Sequence, residues 1–179
     1  MIGLIYCAGL GTRLGKLTKN TPKPMIKVGE KPVLERIIDN FNKHGIDKII
    51  VNTHYLHTKI MEYFGDKLLY TFEPILLGEE KTLENLRKWL SGEWVCVANG
   101  DTLSNINITA MYNWAKQLNK NVRFVDNGVY AGTMILKPQY YSDRTMSDFN
   151  SDSWWIDIGT HNGLQKAKEK FNSMSRLRS

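Results

Sequence analysis

The chain predicts a doubly wound α/β fold, a mostly parallel sheet sandwiched between two helical layers. Three observations predict it. Short apolar runs alternate with amphipathic segments of about ten residues, the spacing that right-handed crossovers between parallel strands require. Glycine-containing turns, Gly9-Leu10-Gly11 and Asn99-Gly100-Asp101, directly follow two of those runs. The balance of 42% hydrophobic to 23% charged residues in 179 is that of a globule able to bury a core, so one domain over 1–179 is the expectation.

The apolar run at 2–7 reads as a buried strand, and the lack of a charged region before it argues against a signal peptide. Residues 18–31, with Pro22 and Pro24, read as an extended loop. Over 32–43, Val33, Leu34, Ile37, Ile38 and Phe41 make one helical stripe; Pro32 opens it and Gly45 ends it as a left-handed cap. A strand at 48–52, a helix at 58–64 stopped by Gly65, a strand at 68–72, a helix at 79–90 and a strand at 94–98 continue the alternation. A helix at 108–118 then leads through a short connection to a strand at 129–136, and a helix at 162–171 closes the order. The terminal Ser175-Arg176-Leu177-Arg178-Ser179 reads as a frayed tail.

Composition excludes several classes of function. No run of about 18 apolar residues occurs, so no membrane span is expected. Cys7 and Cys96 lie inside apolar runs as small buried hydrophobes, which points to a reducing, cytoplasmic setting. The net charge of +6 comes from scattered lysines without interleaved aromatics, which favours small anionic substrates over nucleic acid.

Ligands of doubly wound sheets meet the carboxyl ends of the strands. There the first strand delivers Ala8-Gly9-Leu10-Gly11-Thr12-Arg13-Leu14. Two glycines one residue apart let backbone N–H groups converge on an anion, Arg13 adds a fork of phosphate donors, and Lys23 adds a mobile charge. The P-loop is excluded because no Gly-Lys-Ser/Thr follows Gly11, and the dinucleotide fingerprint because Leu14 stands at its third glycine. Asp101 reaches the same edge after the 94–98 strand. Beside a polyphosphate it suits Mg²⁺, and otherwise it caps the Gly-Asp-Thr turn. Asp157, in Trp155-Ile156-Asp157-Ile158-Gly159-Thr160, needs a partner among apolar neighbours; a shared metal would supply one, and N-capping of the last helix is the alternative.

The segment 8–14, Pro22-Lys23-Pro24-Met25, Asn99-Gly100-Asp101 and 155–160 together resemble the signature of the sugar-1-phosphate nucleotidyltransferases, in the same order. The resemblance implies a Rossmann-like, glycosyltransferase-A-like nucleotidyltransferase fold and attack of a sugar-1-phosphate on an NTP, with release of pyrophosphate. In that reading Ala8, Gly9, Leu10, Gly11 and Thr12 cradle the β and γ phosphates, with Asn99 and Gly100 beside the nucleotide. Arg13 neutralises the leaving pyrophosphate and Lys23 bridges the reacting phosphates. Asp101 and Asp157 hold Mg²⁺.

Glu73 and Gly78 resemble the stretch that reads the nucleobase. A carboxylate only accepts hydrogen bonds, so Glu73 favours bases that present donors, and hence GTP or CTP; a solvated strand end is its alternative role. Glu79-Glu80-Lys81 departs from the small-residue run that the family carries after Gly78. For the acceptor, either Gly132 in Val129-Tyr130-Ala131-Gly132 or Asp126 in Asp126-Asn127-Gly128 matches the sugar-contacting strand. No Glu-Lys-Pro occurs, so a smaller phosphate or phosphonate acceptor stays open beside a sugar-1-phosphate. A nucleotide sensor without turnover is the reading from another class.

Overall fold

The computed structural model describes residues 1–90, 92–137 and 145–176. Its centre is β1, Ile2–Tyr6, a continuous apolar run covered on both faces. β1 lies parallel to β4, Ile49–Thr53, on one side and to β6, Val95–Asn99, on the other. β5, Leu69–Phe72, extends the sheet parallel to β4. Beyond β6 the sheet turns antiparallel at β9, Val129–Leu136, which pairs with β8, Asn121–Asp126; β10, Met146–Phe149, runs parallel to β8 at the far edge. The seven-stranded order is β10-β8-β9-β6-β1-β4-β5.

Helices cover both faces unequally. α1, Val33–Lys43, α2, His57–Phe64, α4, Ile108–Leu118, and α5, His161–Arg176, pack on one face; α3, Glu79–Leu90, seals the other with Leu83, Leu86 and Leu90 against Leu4, Val95 and Val97. α1 approaches β1 closely because Gly3 leaves room: a methyl there would stand 2.6 Å from the Phe41 ring. Gly45 and Gly65 adopt positive φ of 71° and 58° and end α1 and α2 as the sequence predicts. Among the described residues no helix is long and apolar enough to cross a membrane. Cys7 and Cys96 are free and buried, and burial pushes both thiols up.

Four segments differ from the sequence reading. The stretch 18–31 is not simply extended: 3₁₀ turns at Thr12–Thr18 and Lys23–Met25 lead to a small hairpin of β2, Lys27–Val28, and β3, Lys31–Pro32, around Gly29. The connection after α4 contains β8, whose period-two pattern breaks at a bulge between Arg123 and Val125, leaving Phe124 and Val125 both buried. β10 is a half-covered edge strand of mixed polarity, Met-Ser-Asp-Phe, and carries no alternation to detect. Finally, Ser175 and Arg176 belong to α5 and not to a tail, while 177–179 lie outside the described residues.

Candidate active site

Four strand ends, the glycine loop and a short two-stranded sheet build the site. After Tyr6 the chain turns into the glycine loop, where Gly11 adopts φ 69°, ψ 20°. A side chain at Gly11 would meet Thr18 Cγ2 at 2.8 Å and Lys23 Cβ at 3.2 Å, so the loop folds back on its own continuation. Thr18 pins it by donating its hydroxyl to the carbonyls of Gly11 at 2.9 Å and Gly15 at 3.1 Å, and Leu14 is fully buried beneath. Leu10 and Arg13 are left exposed above the anchor.

Lys23 opens the 3₁₀ turn that Pro22 and Pro24 fix. Its ammonium pairs with Asp101 Oδ2, and the two side chains are 15% and 14% exposed. The same ammonium lies 3.9 Å from where a Gly9 side chain would begin, so Lys23 spans from the loop to the aspartate.

Asp101 owes its position to Gly100. The Gly100 N–H donates to the Tyr6 carbonyl at 2.9 Å, and a methyl at Gly100 would stand 2.5 Å from that oxygen and 2.6 Å from Cys7 Sγ. Only glycine lets the exit of β6 lie on the exit of β1. The chain continues as β7, Thr102–Ser104, which pairs antiparallel with β11, Trp155–Asp157, so that Asp157 stands opposite Thr102. The Ile158 N–H donates to the Asp101 carbonyl at 2.9 Å. Asp157 ends β11 and Asp101 immediately precedes β7, so the backbones of two aspartates far apart in sequence lie side by side where these strands meet.

Arg13 arrives at the same place from the loop. A side chain on Gly159 would lie 2.7 Å from Arg13 Nη2 and 2.8 Å from Asp157 Oδ1, so guanidinium and carboxylate share that glycine's surface. Asp157 Oδ1 accepts the Gly159 N–H at 2.6 Å, while Thr160, not Asp157, caps α5 by accepting the Gly163 N–H at 3.1 Å. Gly132, at φ 75°, packs against Thr102 with room for no side chain, which brings β9 behind Asp101. Asp126 is placed differently: it stands at the β8–β9 turn and accepts from Trp155 Nε1 and Asn127 Nδ2, both at 3.0 Å, and it does not line the cleft at the carboxyl ends of the central strands.

That cleft, of about 320 Å³, runs along the carboxyl ends of β5, β4, β1 and β6. Glu73 stands at its β5 end and is not a solvated strand end; it is 3% exposed. Its Oε1 accepts from Asn52 Nδ2 at 3.0 Å and Thr82 Oγ1 at 2.5 Å, and its Oε2 accepts the Leu77 N–H at 3.3 Å. Both lone pairs of Oε1 are used, which leaves one position on Oε2. Gly78, at φ 79°, accepts at its carbonyl from the Thr82 N–H and hydroxyl as α3 begins.

Sequence reasoning missed Asn52, Thr82 and Glu79 in this cleft. Asn52 is a polar residue at the end of an apolar run, a signal that was available. Glu79 is the first residue of α3; burial and then the Asp101 carboxylate hold its pKa above the usual carboxylate range.

Fold and site together define an α/β protein with a glycine loop and a lysine–aspartate pair at the carboxyl ends of its central strands. The model of the family described as nucleotidyl transferase matches residues 2–125, and the chain belongs to that family. It is 36% identical over 116 residues to the D-glycero-alpha-D-manno-heptose 1-phosphate guanylyltransferase of Campylobacter jejuni, an overlap of 62% of this chain and 52% of that protein. It is 39% identical over 127 residues to the UTP–glucose-1-phosphate uridylyltransferase of Synechocystis, covering 61% of this chain and 32% of the relative. The chain thus spans about half the length, or less, of these curated relatives. The fold is shared with HddC from Yersinia pseudotuberculosis complexed with GMP-PN, at a TM-score of 0.81 and 21% identity over 96% of this chain and all of that one.

Proposed function

We propose that this protein transfers a nucleotidyl group from an NTP to a sugar-1-phosphate, giving an NDP-sugar and pyrophosphate. What supports the reading is the Lys23–Asp101 pair beside the glycine loop, with Asp157 opposite Thr102 on the neighbouring strand and Arg13 sharing the Gly159 surface with Asp157. A sugar-1-phosphate oxygen attacks the α-phosphorus, the new P–O bond forms, and the bond to the β-phosphate oxygen breaks. Such chemistry asks for alignment and charge neutralisation more than for proton transfer.

The chain's own groups divide that work. Backbone N–H groups of residues 9–12 hold the β and γ phosphates, with Arg13 on the departing pyrophosphate. Lys23 exchanges Asp101 for the α-phosphate and the attacking phosphate when substrates bind. Asp101, just ahead of β7, and Asp157, at the end of β11, are hard oxygen donors, which fits Mg²⁺, an ion that takes one or two carboxylates together with substrate phosphates. When bound, the ion draws charge from the α-phosphate. Gly132, behind Asp101, marks the acceptor side, and Asp126 reaches that side only through Trp155.

GTP and CTP are the favoured donors. The free position on Glu73 Oε2 accepts a base N–H; guanine offers N1–H and N2–H₂ and cytosine N4–H₂, whereas uracil offers only its single N3–H. The guanylyltransferase relative supports GTP. Pyrophosphate release from each of four NTPs, with Mg²⁺ and a panel of sugar-1-phosphates, tests the reading. Turnover with GTP or CTP is expected, and no pyrophosphate from any pair would remove it.

A further inference from the structure

Both oxygens of Asp101 are engaged within the chain. Oδ2 pairs with the Lys23 ammonium, and Oδ1 accepts the Thr102 hydroxyl at 3.3 Å. Both members of the ion pair are mostly buried, so neither charge has much water to fall back on. A divalent cation that takes Oδ2 must first displace the ammonium. A mostly buried ammonium left without its partner is costly, and two cations would then face each other beside one carboxylate.

Lys23 has one alternative partner within reach. Pro22 and Pro24 fix its backbone in the 3₁₀ turn, and its ammonium lies 3.9 Å from where a Gly9 side chain would begin. A phosphate held on the backbone N–H groups of the glycine loop therefore meets the same ammonium that Asp101 holds. Such a phosphate frees the carboxylate without stranding the lysine. Asp157 is engaged in a similar way. Its Oδ1 accepts the Gly159 N–H at 2.6 Å, and the Arg13 guanidinium, the other cation that a polyphosphate draws, shares that glycine's surface.

We propose that Lys23 also serves as a placeholder cation, withholding Asp101 from divalent ions until a polyphosphate claims its ammonium. The proposal rests on the nucleotidyl-transfer reading and adds a coupling to it: the protein alone binds the ion weakly, and polyphosphate and ion strengthen each other's binding. In the protein alone, lysine neutralises the carboxylate. With substrate, lysine neutralises phosphate and the ion neutralises the carboxylate, so neither state leaves a buried charge unpaired.

Water-proton relaxation with Mn²⁺, a paramagnetic stand-in for Mg²⁺, reads ion binding without turnover. Wild type with Mn²⁺ alone is expected to bind weakly, and added GTP or CTP to raise its affinity for the ion about tenfold or more. Lys23→Met, similar in length and uncharged, is expected to bind Mn²⁺ alone about tenfold or more tightly than wild type. Asp101→Asn in that background is expected to abolish the gain. Wild-type binding of Mn²⁺ that is as tight alone as with GTP or CTP would overturn the placeholder, whether or not the variant folds. So would a Lys23→Met protein of unchanged circular dichroism that binds Mn²⁺ no better than wild type, or a gain that survives Asp101→Asn. If none of the four NTPs forms a complex with protein and Mn²⁺, the nucleotidyl-transfer reading itself fails, and the placeholder with it.

Discussion

A hydrogen atom at Gly100 in place of a methyl is what allows two strand exits to touch and Asp101 to face the loop. Gly100→Ala forces its new carbon against a backbone carbonyl and a fully buried sulfur, neither of which yields cheaply. A loss of about 1–3 kcal/mol in chemical denaturation is expected, with a larger loss of activity than of stability because Asp101 moves with the turn. Lys23→Ala removes the group that spans loop and aspartate. Pyrophosphate release is expected to fall about 10²–10³-fold, as when one transition-state donor is deleted, with an unchanged circular dichroism spectrum; near-normal turnover would take Lys23 out of the mechanism.

Glu79 carries a pH signature. Burial and the Asp101 carboxylate raise its pKa, so the folded protein keeps this proton where the unfolded chain, near ~4.3, has lost it. Its destabilising effect is therefore full at neutral and alkaline pH, fades as pH falls through the raised value, and is gone below the unfolded one. Glu79→Gln is expected to melt higher than wild type at about pH 8, the difference closing towards about pH 4; a gap that does not change with pH would contradict this. Gly9, Gly11, Arg13, Lys23 and Asp101 were legible as site candidates because their chemistry sits in short segments of recognisable pattern. Asn52 and Glu79 were not, because their placement depends on which strand ends and helix starts the fold brings together.

At the scale of elements, Gly3 lets α1 approach β1 closely. Gly3→Ala would press a methyl into the Phe41 ring. A cost of about 1–3 kcal/mol is expected, partly restored by Phe41→Leu in the same chain; additive losses in the double variant would show that the two do not share one contact. The helices and the parallel strands β1, β4, β5 and β6 were legible because their apolar periods are regular, and Gly45 and Gly65 mark the stops of α1 and α2. β8 was not, since its bulge breaks the alternation, although Asn127-Gly128, at φ 49° and 78°, marked the hairpin that follows it. The two-residue hairpin strands β2 and β3 are too short to show any period.

Across the whole molecule, the doubly wound architecture was readable from alternation alone, with α3, the one helix on its face among the described residues, as the unforeseen detail. The neighbourhood of Asp101 and Asp157 was not readable from spacing, because it depends on β11 returning to pair with β7 after the antiparallel strands are laid down. The cleft is lined by three carboxylate residues, Glu73, Glu79 and Asp101, against one lysine, Lys23. The central claim is that the two aspartates serve one ion. Its most direct test is a double-mutant cycle on pyrophosphate release with Asp101→Asn and Asp157→Asn. Each single variant is expected to lose about 10²–10³-fold, and the double variant little more than the worse single one, as groups acting as a unit do. Losses that multiply, or an Asp157→Asn protein as active as wild type, would contradict it.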